Sequence, residues 1–254
     1  AFNNCVSLKS VLIDVYPEGH AKAGKSDLNN LDKNSFKGCT ALETLGLKQY
    51  ATDENPQNVL PDGFKTLSDQ ALTGLTSLKS IVLPASINKI GKSAFDGSGI
   101  EKIEFKTYTD GAKANKCDLN SIGDTAFANT KLTSFVFPES ASASGLTIGK
   151  MLFKGTLSLN SITYSNSVKI FAGELVNGAR NVTEIVFPSG YADFAQNEGI
   201  IYNAAGDKIV YVYQKLTNSE YVVPAHVTEI SAYAFKNQTN LKKVYIPNTV
   251  QRIG

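Results

Sequence analysis

The sequence carries no tryptophan, one methionine and two histidines in 254 residues. His20 and His226 stand far apart, with no ligand partner at a diagnostic spacing, so no histidine metal set is written here. The three cysteines, Cys5, Cys39 and Cys117, include no C-x-x-C pair and cannot close a disulfide framework. No run of about 18 apolar residues occurs, which excludes a hydrophobic helix spanning a bilayer. A net charge of +2 is too small to point to nucleic acid or an anionic membrane surface. Helical periodicity is also missing. Apolar residues come in twos and threes, whereas a helix would keep a 3.6-residue rhythm over about ten or more positions.

What is present is a phrase written many times. The stretch from Leu75, "LTSLKSIVLPASINKIGKSAF", returns from Gln238 as "QTNLKKVYIPNTVQRIG". Its apolar triplet recurs as Leu8-Val11-Ile13, Leu42-Leu45-Leu47, Leu78-Ile81-Leu83, Ile100-Ile103-Phe105, Leu132-Phe135-Phe137, Leu159-Ile162-Tyr164, Val182-Ile185-Phe187 and Leu241-Val244-Ile246. Successive first residues are 34, 36, 22, 32, 27, 23 and 59 apart. The shortest spacings fall in the range of leucine-rich repeats, roughly 20–29 residues, and the longer ones read as that unit plus an insertion. The last two positions of each triplet alternate as in a strand, and Pro84, Pro138, Pro188 and Pro247 follow it as a stop. A second signature trails each strand: an apolar–x–x–apolar–Gly step (Ile87-Ile90-Gly91, Leu119-Ile122-Gly123), then Ala-Phe at Ala94-Phe95, Ala126-Phe127 and Ala234-Phe235. One unit cannot bury both apolar rows, but stacked units bury them against one another.

The combined pattern, L-x-x-I-x-I-P-x-x-V-x-x-I-G-x-x-A-F, resembles the BspA-like leucine-rich repeats, most closely over Leu78–Phe95 and Leu241–Gly254. The stretch Asn197–Pro224 is similar to a hairpin-like interruption that replaces a regular unit in that family. The resemblance implies a mostly β, right-handed leucine-rich-repeat solenoid with one parallel strand per repeat and short irregular or 3-10 backing segments. The expected organisation is one solenoid segment over 1–254, about eight recognisable repeats, with a degenerate unit at 189–225, belonging to a longer array. The family further implies secreted or cell-surface proteins that adhere to or bind host or surface proteins or glycans. It supplies no catalytic residues, cofactor or metal. A monomer is expected, with no nucleic acid and no membrane insertion.

One motif competes with that reading. Gly19–Ser26, "GHAKAGKS", matches the phosphate-binding loop G-x-x-x-x-G-K-[ST], in which Lys25 would hold phosphates and Ser26 a Mg²⁺ ion. The motif works only at the start of a helix, and "DLNNLDKNSFKGC" aligns instead with the backing segment of a repeat. A surface insertion is the preferred reading. Cys5 and Cys39 each lie three residues after the aromatic of an Ala-Phe step or its variant. A bridge is conceivable there, and two buried thiols are the expectation. Cys117 is expected to be exposed, within an insertion.

The outward strand positions form two rows, Ser10, Thr44, Ser80, Lys102, Ser134, Ser161, Glu184, Lys243 and Leu12, Gly46, Val82, Glu104, Val136, Thr163, Val186, Tyr245. They are poor in the Trp, Tyr and Arg that dominate binding hot spots. The insertions, about Asp14–Asp27, Lys48–Gly63, Lys106–Asp118 and Glu139–Thr147, are richer. In-phase stacking makes extra residues at one repeat position project from one side. That edge collects Tyr16, His20, Lys22, Lys25, Tyr50, Asp53, Glu54, Tyr108, Asp110 and Lys113 as candidate partner-binding residues. The competing expectation is a structural spacer that holds another domain away from the cell.

Overall fold

A computed structural model describes residues 1–50, 57–168, 179, 181–191, 194–197, 199–213 and 216–254. In chain order the first strands are β1 (Ser10–Ile13), β2 (Asn30–Leu31), β3 (Thr44–Leu47), β4 (Thr66–Leu67), β5 (Ser80–Leu83), β6 (Lys89–Ile90), β7 (Lys102–Phe105), β8 (Ser121–Ile122), β9 (Ser134–Val136) and β10 (Thr147–Ile148). They are followed by β11 (Ser161–Thr163), β12 (Glu184–Val186), β13 (Phe194–Asn197), β14 (Ile200–Asn203), β15 (Lys208–Val212), β16 (Glu220–Val222), β17 (Glu229–Ile230), β18 (Lys243–Tyr245) and β19 (Arg252–Ile253). Among the described residues the helical turns are two short 3-10 stretches, Lys48–Tyr50 and Gly111–Lys113.

The chain winds as a parallel β-solenoid of about seven turns. Each turn lays one longer strand on the front face and one two-residue strand on the rear. Front strands pair in parallel as β1–β3, β5–β7, β9–β11–β12 and β16–β18. The outward rows read from the sequence align rung to rung, for example Ser134↔Ser161↔Glu184 and Val136↔Thr163↔Val186. The backing segments are more regular than irregular or 3-10. They form a second parallel ladder, β2–β4–β6–β8–β10, because the Ile of each Ile-Gly step stacks in one column: Leu31↔Leu67↔Ile90↔Ile122↔Ile148. The 3-10 turns lie in the insertions instead.

Between the two ladders runs one continuous apolar core. The aromatics of the Ala-Phe steps stack down it, Phe95 on Phe127 at 5.5 Å and Phe127 on Phe153 at 5.9 Å between ring centres. Each fully buried Phe or Leu contributes roughly 1.5–3 kcal/mol of apolar transfer, repeated at every rung. Two backbone devices close each turn. The residue before Ala-Phe adopts left-handed φ, as at Gln70 (+59°), Thr125 (+53°) and Met151 (+51°). The glycine of the Ile-Gly step lies against the preceding turn: a Cβ at Gly123 would stand 2.5 Å from the Lys92 nitrogen. From residue 194 the winding changes. Strands β13, β14 and β15 form an antiparallel meander, and β15 then begins a separate parallel ladder, β15–β17–β19. A smaller core of Ile200, Tyr202, Ile209, Val212, Val223, Val227 and Ile230 packs there.

The insertion Lys48–Gly63 departs from the expectation of a purely projecting loop. Its end, residues 57–60, enters the front sheet as an extra rung between β3 and β5. Leu47 N–H donates to Val59 O at 2.8 Å and Leu60 N–H to Val82 O at 3.0 Å. The Asn58 side chain completes the joint: Oδ1 accepts from Leu45 N–H (2.8 Å), and Nδ2 donates to Glu43 O (3.2 Å) and Ser80 O (2.9 Å). With 3% of its surface exposed, Asn58 replaces strand hydrogen bonds inside the protein. Gly46 is required beside it, because a Cβ there would stand 2.6 Å from Val59 O.

Candidate functional site

Three insertions leave the front strands at the same point. The residue three after the end of β1, β3 and β7 is tyrosine in each case, Tyr16, Tyr50 and Tyr108, so stacking places the three along one edge. In the first insertion the Tyr16 N–H donates to Lys25 O at 2.8 Å and the Gly24 N–H returns to Tyr16 O at 3.0 Å, closing a finger. Across its mouth Asp27 accepts from the Tyr16 hydroxyl and the Lys22 ammonium, both at 2.6 Å. His20 stacks on the Tyr16 ring at 4.1 Å, and its Nδ1 accepts the Lys22 N–H. The hydrogen bonds from Lys22 and then Tyr16 hold the Asp27 carboxyl below its ordinary value.

The third insertion repeats this finger. Tyr108 N–H donates to Lys116 O and Asn115 N–H to Tyr108 O, both at 2.9 Å. Asp118 accepts from the Tyr108 hydroxyl and the Lys113 ammonium, both at 2.7 Å, and Lys113 lies 5.4 Å over the Tyr108 ring. Burial, then the bond to Asp118, pushes the Tyr108 phenol up to about 12. Burial alone would raise Asp118, but Lys113 and Tyr108 outweigh it and hold its carboxyl low. The shared geometry has a shared text: "AKAGKSD" at 21–27 and "AKANKCD" at 112–118. Gly24 and Asn115 both take left-handed φ, at +73° and +60°. The phosphate-loop match is therefore one copy of a finger. Ser26 is followed by coil and the two-residue β2, with no helix to face a phosphate. The Ser26 Oγ accepts the Leu28 N–H instead.

The β5 turn between the fingers carries no insertion, and its shortness leaves a notch. A trough of about 550 Å³ fills it, floored by Gly63, Ala85 and Ser86, with Lys25 and Asp62 among its walls and Lys106, Thr107, Tyr108 and Thr109 completing them. The floor is tied down, since Ser86 Oγ accepts from Gly63 N–H (2.8 Å) and donates to Phe64 O (3.0 Å). A second recess of about 360 Å³ adjoins it on the front face, with Tyr50, Gln57, Lys102 and Glu104 in its lining and Lys106 shared between the two. The Lys106 ammonium lies 5.6 Å over the Tyr50 ring, which is 37% exposed.

Of the candidate residues, Tyr16, His20 and Lys22 thus build one finger, and Tyr108 and Lys113 the other. Asp110 is exposed at the tip of the second, where its side chain makes no cap bond. Tyr50 faces the recess. Asp53 and Glu54 lie outside the described residues. Sequence reasoning missed Asp27 and Asp118, which lock the fingers, and Asp62, Lys106, Thr107 and Thr109, which line the trough. The near-identity of 21–27 with 112–118 was the signal that could have found the carboxylates. Two thiols also differ from expectation. Cys117 is buried, because its finger folds it back against Ser140 in the next turn, and Cys5 is exposed while Cys39 is buried. All three are free. Among the described residues no group of three or more His, Cys, Asp or Glu could hold a metal ion, and no helix is long and apolar enough to cross a membrane.

Comparison with known proteins agrees with this architecture. A family profile described as a BspA type leucine rich repeat region matches in six copies, over residues 50–116, 120–198 and 208–254. A leucine-rich repeat protein from Eubacterium ventriosum is similar in structure, with TM-score 0.63 and 20% identity over 80% of this chain and 50% of its own. The pneumococcal vaccine antigen PcpA is similar with TM-score 0.50 and 21% identity, over 97% of this chain and 47% of its own. The chain therefore spans about half the length of these two. A leucine rich cell surface protein of Faecalibacterium prausnitzii gives TM-score 0.47 and 14% identity, over 99% of this chain and 63% of that one. No curated protein matches the sequence.

Proposed function

For a chain that belongs to the BspA-type leucine-rich repeat family, we propose a non-catalytic recognition module of a secreted or cell-surface protein, binding its macromolecular partner along the insertion edge. The observation that carries this reading is the duplicated finger. Two insertions separated in sequence close with the same Tyr–Lys–Asp lock and flank a notch left by an uninserted turn. Exposed ion pairs of this kind add little to stability, so their repeated use is better explained by holding a surface in shape. The solenoid core supports the reading by making that edge rigid, which lowers the ordering cost of binding. A cell-surface setting is supported by the description of PcpA as a vaccine antigen.

The test is capture of extracellular-matrix proteins, surface glycoproteins and cell-wall polymers by the intact chain and by a variant with residues 17–24 and 109–115 replaced by short Gly-Ser links. Partner capture that disappears in the variant supports recognition at this edge. Equal capture by both would move recognition off this edge to the repeated faces, and none across the panel supports the spacer.

A further inference from the structure

We propose that the trough between the fingers binds a carboxylate-bearing glycan, a sugar chain carrying uronate or sialate groups. This deepens the recognition reading above and rests on it. Lys25 comes from the first finger and Lys106 from the end of β7, and both line the trough. Among the described residues no carboxylate pairs with either ammonium, whereas the finger lysines Lys22 and Lys113 are each bonded to their own aspartate. Two ammonium groups with no ion-pair partner around one recess, against the single carboxylate of Asp62, leave room for an anionic group.

The other polar groups narrow the class. The Asp62 carboxylate is exposed and, among the described residues, accepts no hydrogen bond, and Thr107 and Thr109 add hydroxyls beside it. A fixed carboxylate disfavours an anionic group placed directly beside it, but it is a good acceptor for the ring hydroxyls that separate the carboxylates of an acidic sugar. Lysine for the carboxylate, with aspartate and threonine for the hydroxyls, is the complement of an acidic sugar. The floor of Gly63, Ala85 and Ser86 is built of small residues and offers no deep recess for the side chains of an acidic peptide. Its size, about 550 Å³, is that of a small-ligand site, roughly 300–1,000 Å³. Lys116 holds in the second finger the place that Lys25 holds in the first, so each finger carries one further lysine beside its locked one.

The experiment is titration calorimetry of the intact chain with hexagalacturonate and with sialyllactose. The comparison ligands are methyl-esterified hexagalacturonate and hexaglutamate. Saturable binding of at least one acidic sugar is expected, weakened tenfold or more by esterification, by Lys25→Ala with Lys106→Gln, and by Asp62→Ala. Circular dichroism checks that these surface variants stay folded. Hexaglutamate binding as tightly as the sugars would overturn the proposal in favour of an acidic peptide. Failure of both acidic sugars to bind, or binding unchanged by the lysine pair or by Asp62→Ala, would also overturn it. If acidic sugars fail while edge-dependent capture of another partner persists, the glycan assignment falls and the recognition reading stands. Failure of both experiments removes both.

Discussion

Replacing Asn58 with alanine should unstitch the front sheet beneath the candidate edge. Its side chain makes three hydrogen bonds, with Leu45 N–H, Glu43 O and Ser80 O, at a site 3% exposed. A net hydrogen bond is worth about 0.5–1.5 kcal/mol, and a buried group left without a partner costs about 1–3. Truncation leaves one donor and two acceptors unmatched, and one of these groups, the Leu45 amide, belongs to a fully buried residue. The expected loss is roughly 2–4 kcal/mol, the upper part of the range applying where water cannot enter. For a chain of this length each kcal/mol moves Tm by about 2–4 °C, so scanning calorimetry should record a fall of roughly 5–10 °C. Asn58→Asp should lose at least as much, because it turns the Nδ2 donor into a charged acceptor facing two carbonyls. A change within about 1 °C for both variants would refute the account of residues 57–60 as a side-chain-stitched rung.

Gly123→Ala would place a methyl group 2.5 Å from Lys92 N and 2.8 Å from Gly91 C, both backbone atoms of the previous turn. Overpacking of this kind costs about 1–3 kcal/mol, read as a lower urea midpoint, and an unchanged midpoint would show that adjacent turns are not in close contact there. Gln70→Gly should act in the opposite direction. Gln70 is half-buried and sits at φ +59°, a conformation that costs a residue with a Cβ about 1–2 kcal/mol, so a gain of roughly 0.5–1 kcal/mol remains after the entropy glycine adds to the unfolded chain. A drop in Tm would contradict that balance. The second finger should fail in acid. Because the Asp118 carboxyl is held below its ordinary 3.8, its contribution is present above that pH and disappears as pH falls through the lower folded value. Asp118→Asn should therefore remove the acid-dependent part of the finger's opening, read as hydrogen-exchange protection of the Tyr108 and Asn115 amides that no longer falls below about pH 4. The same loss of protection in both proteins would remove Asp118 from the lock.

The scaffold was legible in the sequence because its rules recur at every turn. The Ile-Gly glycine, the Ala-Phe aromatic and the triplet's inward residues answer the same packing demand each time, so repetition separates them from chance. The edge was legible only in part. Tyr16, Tyr50 and Tyr108 stood out as aromatics in insertions. Their shared offset from the strand ends depends on strand boundaries that the sequence leaves loose by a residue or two. The locks were hidden because "GHAKAGKS" matches a better-known motif, and because an extra residue, His20, shifts the first finger against the second. Asn58 was beyond reach for another reason: a side chain replacing strand hydrogen bonds has no periodic signature. Cys117 went wrong through its neighbours. Lys113, Asn115 and Lys116 mark the segment as exposed, yet the returning limb of the finger turns the thiol inward against Ser140.

The central claim is that recognition belongs to the inserted edge and not to the repeated faces. Hydrogen–deuterium exchange on the intact chain, with and without a captured partner, tests it most directly. The account predicts new protection confined to segments 14–27, 57–63, 84–87 and 106–118, with the rear ladder unchanged. Protection centred on the rear ladder or on the outward row from Val136 to Val186, with the fingers exchanging as in the free chain, would contradict it.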